Sequence, residues 1–154
     1  MKKVLVVGIG NPLLQDEGLG VHVAKVMEQM DLPPEVEVID GGTHTYDLVD
    51  FFCQGENLIV VDALQAGGEP GTIYRAPLEQ LGLKAEEGTT SLHQMNFIEA
   101  MQMVNLLGHH PRVIVFGVEP KTIDWGLELT PELQAKMPKL LDFIQKEIQE
   151  MLVS

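Results

Sequence analysis

Cysteine is almost absent from this 154-residue sequence, where Cys53 stands alone. That excludes an intramolecular disulfide and a thiolate-held metal cluster, and it matches a reducing compartment. Cations are also scarce, with Lys and Arg totalling 10 against 23 Asp and Glu, for a formal net charge of −13. Such a field repels phosphate backbones and anionic lipid, so a nucleic-acid partner is disfavoured. No apolar run approaches the roughly 20 residues that span a bilayer. The stretch Val4 to Ile9 is shorter than a signal-peptide core and ends in Gly10-Asn11-Pro12, so it reads as a strand. Solenoid-period repeats, low-complexity segments and flexible interior linkers are missing as well. The expectation is one cytoplasmic domain over residues 1–154, with no membrane insertion.

What is present is ordinary globular composition, with 45% hydrophobic and 21% charged residues, enough to build a core unaided. Val4-Leu5-Val6-Val7 and Leu58-Ile59-Val60-Val61 are continuous apolar runs of the kind buried on both faces of a parallel sheet. Val36, Val38 and Ile39 predict a strand between them, and Val113 to Val118 another after them. Apolar residues at helical spacing predict helices from Gly18 to about Leu32, from Thr43 to about Phe52, from Ser91 to Leu107 and from Thr130 onward. Pro138 is expected to kink or restart the last of these. Thr72-Ile73-Tyr74 predicts a short edge strand. Strand and helix alternate in βαβαβ order, which implies an α/β fold: a three-layer α/β/α sandwich around a mostly parallel twisted sheet of about five strands.

In such a sheet ligands gather beyond the carboxyl ends of the strands. Asp16 and Glu17 follow the first strand, Asp40 and Asp62 end the second and third, and His93 opens the helix after the long loop. Carboxylates and an imidazole make a ligand set for nickel or zinc. Each also has a plain alternative, since acids in a first helical turn meet the helix dipole and aspartates at strand ends cap turns. His22, His44, His109 and His110 have no ligand-like pairing. The Gly8-Ile9-Gly10-Asn11-Pro12-Leu13 turn departs from the dinucleotide fingerprint at Leu13, and Asp16-Glu17 would repel a pyrophosphate, so no nucleotide cofactor is expected. Cys53 falls on the second helix, away from these residues, and no serine has a nucleophile-elbow context, which favours metal-assisted hydrolysis. The methionines Met27, Met30, Met95, Met101 and Met103 read as adaptable core.

The run Gly8-Ile9-Gly10-Asn11-Pro12-Leu13-Leu14-Gln15-Asp16-Glu17-Gly18-Leu19-Gly20 resembles the opening signature of the hydrogenase maturation endopeptidases. The resemblance continues through Asp40-Gly41-Gly42-Thr43, Val61-Asp62-Ala63, Pro70-Gly71-Thr72, Ser91-Leu92-His93, Gly117-Val118-Glu119-Pro120 and Leu129-Thr130-Pro131. It implies that Glu17, Asp62 and His93 are the metal ligands and that the metal is nickel supplied by the substrate. The same three are expected to be the catalytic residues, with the resemblance leaving open whether the ion polarises the scissile carbonyl or serves recognition alone. The implied partner is a nickel-iron hydrogenase large-subunit precursor, and the implied reaction is removal of its C-terminal extension after nickel insertion. Loops such as Gln65 to Gly71 and Lys84 to Thr90 are expected to choose the partner.

Two rivals share parts of this pattern. Peptidyl-tRNA hydrolases have a similar Gly-x-Gly-Asn-Pro turn, but their substrate is a polyanion, and Asp16-Glu17-Gly18 stands where their catalytic pattern would lie. A non-catalytic nickel-binding assembly chaperone would need the same three ligands, because ligands alone establish binding and not turnover.

Overall fold

A computed structural model describes residues 2–80 and 92–154, with the side chains of Leu92 and His93 outside the description. Strand β1 (Lys2–Ile9) lies inside a five-stranded sheet of order β2-β1-β3-β5-β4. β2 (Val36–Gly42) and β3 (Gly55–Ala63) flank β1 in parallel, and β5 (Arg112–Val118) runs parallel to β3. β4 (Ile73–Pro77) closes the edge, antiparallel to β5. The mostly parallel sheet expected from the apolar runs is thus present, with its predicted edge strand starting at Ile73.

Alternation along each strand divides the core in two, because successive side chains leave a strand on opposite faces. Val4, Val6, Ile59, Val61, Ile114 and Phe116 pack with residues of α1 (Leu19–Glu28) and of the C-terminal helix. Leu5, Val7, Leu58, Val60, Val113 and Val115 pack with Phe52 of the short α2 (Val49–Phe52) and with Phe97, Ala100, Met101 and Val104 of α3 (Leu92–Leu106). Phe52 and Phe97 meet edge to face, their ring centroids 5.6 Å apart. The result is the expected α/β/α layering.

Several boundaries differ from the sequence expectation. The segment after β2 begins as a 3-10 turn, Thr45–Leu48, and α2 ends at Phe52, so Cys53 sits just past the helix and not on it. α1 ends at Glu28, where Gln29 caps it. Leu107 lies beyond α3 and is exposed, as are Val26, Met95 and Met103, so the methionine set is only partly core. The C-terminal helix α4 (Pro131–Val153) is continuous through Pro138 and does not restart. Proline deprives the Gln134 carbonyl of its helical donor, and Gln134 and Pro138 both lie on the exposed side, where water can replace it. The predicted Ser91 cap and the loop Lys84 to Thr90 fall outside the described residues. Among those described, no helix is long and apolar enough to cross a membrane.

The glycines of the first loop act through close approach. A Cβ on Gly20 would lie 2.1 Å from the Val61 carbonyl oxygen and 2.4 Å from that of Ile9, and one on Gly8 would lie 1.9 Å from the Gly20 carbonyl oxygen. The start of α1 therefore rests directly on the backbone of β1 and β3, a contact no larger residue allows.

His22 on α1 bonds to the backbone of Leu127, and burial, followed by the Lys25 charge, holds its pKa below the ordinary value near 6.5 despite that bond. The unfolded chain, with the ordinary pKa, therefore binds this proton more readily than the folded one. The histidine's contribution is fully present above about pH 6.5 and is lost as pH falls through the folded-state pKa. Urea midpoints should decline between about pH 7.5 and 5.5, and His22→Asn should flatten that decline. An equal decline in the variant would contradict the assignment.

Candidate active site

The loop leaving β1 is built by its own polar groups. Gly10 has φ +132, Asn11 accepts the Leu13 N–H on Oδ1 at 3.0 Å, and the Leu14 N–H reaches the Asn11 carbonyl at 3.2 Å. Gln15 follows with φ +49, and the 3-10 turn Gln15–Gly18 runs straight into α1. This geometry turns Asp16 inward and sets Glu17 on the rim.

Asp16 is fully buried. Its Oδ2 accepts the Lys121 and Thr122 N–H groups at 2.9 and 3.1 Å, and its Oδ1 accepts the Thr130 N–H at 2.8 Å. The Thr130 hydroxyl, within 2.8 Å of Oδ2, adds to the set. Thr130 occupies the N-cap of α4, but its hydroxyl makes no capping bond and serves Asp16. Asp16, a candidate for chemistry in the sequence, is thus a structural anchor. The same two loops are also joined through backbone, by Gln15 N–H to the Gly126 carbonyl at 3.0 Å and Gly126 N–H to the Leu13 carbonyl at 2.9 Å.

Asp62, near the end of β3, is buried. Its Oδ1 accepts the Ala63 N–H at 2.8 Å, and its Oδ2 accepts the Gln94 amide at 2.7 Å, which also donates to the Ala63 carbonyl at 2.9 Å. Gly10 marks where this carboxylate meets the first loop: a Cβ there would stand 2.0 Å from the Glu17 carbonyl oxygen and 3.4 Å from Asp62 Oδ1. The backbone of the half-buried Glu17 and the carboxylate of the buried Asp62 therefore both lie against Gly10, just beyond β1. His93 has its backbone in the first turn of α3, next to Gln94, and its side chain lies outside the described residues.

Other candidates do not join them. Asp40 is exposed, and its Oδ1 accepts the Gly42 N–H at 3.1 Å, an ordinary local turn. Burial, with the nearby Asp50 charge, raises the Cys53 thiol pKa, which opposes a nucleophilic thiolate. Two residues were missed. Gln94 orients Asp62, and its position beside His93 was the available clue. Glu119 is buried, and its Oε1 accepts the Ala66 and Gly68 N–H groups at 2.9 and 3.0 Å and the Tyr74 hydroxyl at 2.8 Å. The loop after Asp62, expected to choose the partner, is thereby tied down. Burial, then the bond to Glu119, raises the Tyr74 pKa and keeps this donor protonated.

Comparison with known proteins shows the family. The family model described as Hydrogenase maturation protease matches residues 21–147. The chain belongs to the hydrogenase maturation protease family. Among relatives, the hydrogenase expression/formation protein HupD of Rhizobium leguminosarum bv. viciae is 34% identical over 143 residues, covering 91% of this chain and 71% of that one. The hydrogenase 2 maturation protease of Escherichia coli (strain K12) is 28% identical over 151 residues, covering 96% and 92%. The solved structure of the E. coli hydrogenase maturating endopeptidase HybD superposes with a TM-score of 0.89 at 29% identity, covering 97% of this chain and 93% of that one. This maturation protease is accordingly a peptide hydrolase, and the tRNA-hydrolase and non-catalytic readings fall away.

Replacing Asp16 by Ala would strand the N–H groups of Lys121, Thr122 and Thr130 without their acceptor. An unfolding free energy lower by about 3 kcal/mol is expected, as for buried donors losing a charged partner, measurable by urea titration. A loss under about 0.5 kcal/mol, the scale of an ordinary surface change, would remove Asp16 from the role of anchor.

Proposed function

We propose that this protease removes the C-terminal extension from the precursor of a nickel-iron hydrogenase large subunit after nickel insertion. Glu17, Asp62 and His93 recognise the nickel carried by the substrate, and they also form the catalytic site. No nucleotide takes part, and the reaction belongs to the cytoplasm. The observation that carries the reading is that the Glu17 backbone and the Asp62 carboxylate meet at Gly10, with His93 adjacent in sequence to the amide that orients Asp62. The names of the relatives, which concern hydrogenase maturation, support the choice of substrate.

Two carboxylates and an imidazole suit a borderline divalent cation while leaving its remaining positions to the substrate's own ligands. A precursor without nickel would offer these side chains no anchor, so recognition would check metal insertion before the cut. Hydrolysis breaks the peptide C–N bond, with water delivering hydroxyl to the acyl carbon and a proton to the leaving amine. Gln94 and the Ala63 N–H hold the Asp62 carboxylate in one orientation throughout, and this kind of positioning matters because small displacements of a reacting group are costly.

The test is to mix the protein with nickel-loaded and nickel-free precursor and follow intact mass. The loaded form alone should lose a C-terminal peptide, and Asp62→Asn should slow that loss by about 100-fold or more while circular dichroism stays unchanged. Equal cutting of both forms would refute nickel recognition, and cutting of neither would refute the function.

A further inference from the structure

Beside the Glu17 turn the surface is apolar to a degree that folding alone does not require. Trp125 is 77% exposed, Leu127 68%, Leu13 49% and Ile123 41%. These residues occupy two adjacent segments, joined by the Leu13, Gln15 and Gly126 backbone bonds and by a bridge between Leu14 and Gly126. Single exposed apolar residues are normal, whereas a group of them on neighbouring backbone marks a binding surface.

We propose that this surface docks the protein substrate, holding the polypeptide of the precursor beside the scissile segment. The inference rests on the function proposed above and adds the place where the substrate is gripped. Continuity with the site is direct, since Gln15, which bonds Gly126, begins the turn that carries Glu17. The surface is also held by hydrogen bonds on both sides. Asp16 pins the backbone at Lys121, Thr122 and Thr130, and Asp124 Oδ1 accepts the Trp125 N–H at 2.8 Å. A large aromatic side chain presented on a hydrogen-bonded loop suits an interface anchor, because backbone already held in place lowers the ordering cost of binding.

Charge selects the occupant. Asp124 and Glu128 are exposed on the same loop, while its cation Lys121 is already paired with Glu132 at 2.5 Å. With a net charge of −13, a second copy of the chain or an anionic lipid surface is repelled. The fitting partner is a polypeptide surface with an apolar centre and basic surroundings.

The experiment measures processing of nickel-loaded precursor over a range of concentrations, with sedimentation velocity of each protease alone. Trp125→Ser should raise KM about tenfold or more, the scale of an interface anchor, with kcat within about twofold, and Trp125→Phe should recover most of the loss. Leu106→Ser is the control, because Leu106 is 87% exposed but lies at the C-terminal end of α3, which leads to the opposite end of the sheet. It should leave KM unchanged. An unchanged KM in Trp125→Ser, or an equal rise in Leu106→Ser, overturns the docking surface. So does a wild-type dimer that Trp125→Ser dissociates, which would assign the surface to a second copy. A wild type that cuts no precursor overturns the function itself, and the docking proposal with it.

Discussion

A carboxylate without exposed surface persists only when donors fill its oxygens, and the buried Asp16 meets that condition with backbone and hydroxyl groups lying 105 to 114 residues downstream. That one group ties the loop after the first strand to the segment between the last strand and the C-terminal helix. Glu17 is its immediate neighbour, so the rim position of Glu17 and the presentation of Trp125 both depend on where Asp16 is anchored. The loop glycines act in the same place, since the start of α1 can lie on the strands only where Gly8 and Gly20 leave room for backbone.

The second half of the site is organised from the other side of the sheet. Gln94, on the helix that packs over Leu58, Val60 and Val115, reaches across to Asp62 and the Ala63 carbonyl. Glu119 secures the loop that follows through Ala66, Gly68 and Tyr74. The polar chemistry thus sits where the two helical layers meet the carboxyl ends of the strands, as expected of an open parallel sheet. Hydrogen bonds from both layers converge there on buried acids.

Much of the fold was legible because parallel strands buried on both faces must be apolar throughout, and β1, β3 and β5 wrote that rule openly in their residues. Glu17 and Asp62 were legible as candidates for a topological reason, since the ends of neighbouring parallel strands come together. The role of Asp16 was not legible. By residue type and spacing alone it looks like Glu17, which the resemblance picked out, and only its hydrogen bonds to Lys121, Thr122 and Thr130 show it to be an inward anchor. The extent of α2 and the unbroken course of α4 through Pro138 were likewise hidden, because packing and solvent access outweigh local propensity at such positions.

By itself the sequence determined the layers, the order of strand and helix, the absence of disulfide chemistry and the acidic character that disfavours polyanions. It could do so because each follows from composition or from periodicity along the chain. Only the tertiary structure decided that Asp16 is an anchor, that Gln94 holds Asp62, and that Trp125 stands exposed on the segment hydrogen-bonded to the turn that carries Glu17. Those outcomes depend on contacts between residues remote in sequence, and a hydrogen bond spanning 114 residues leaves no periodic trace in the chain that makes it.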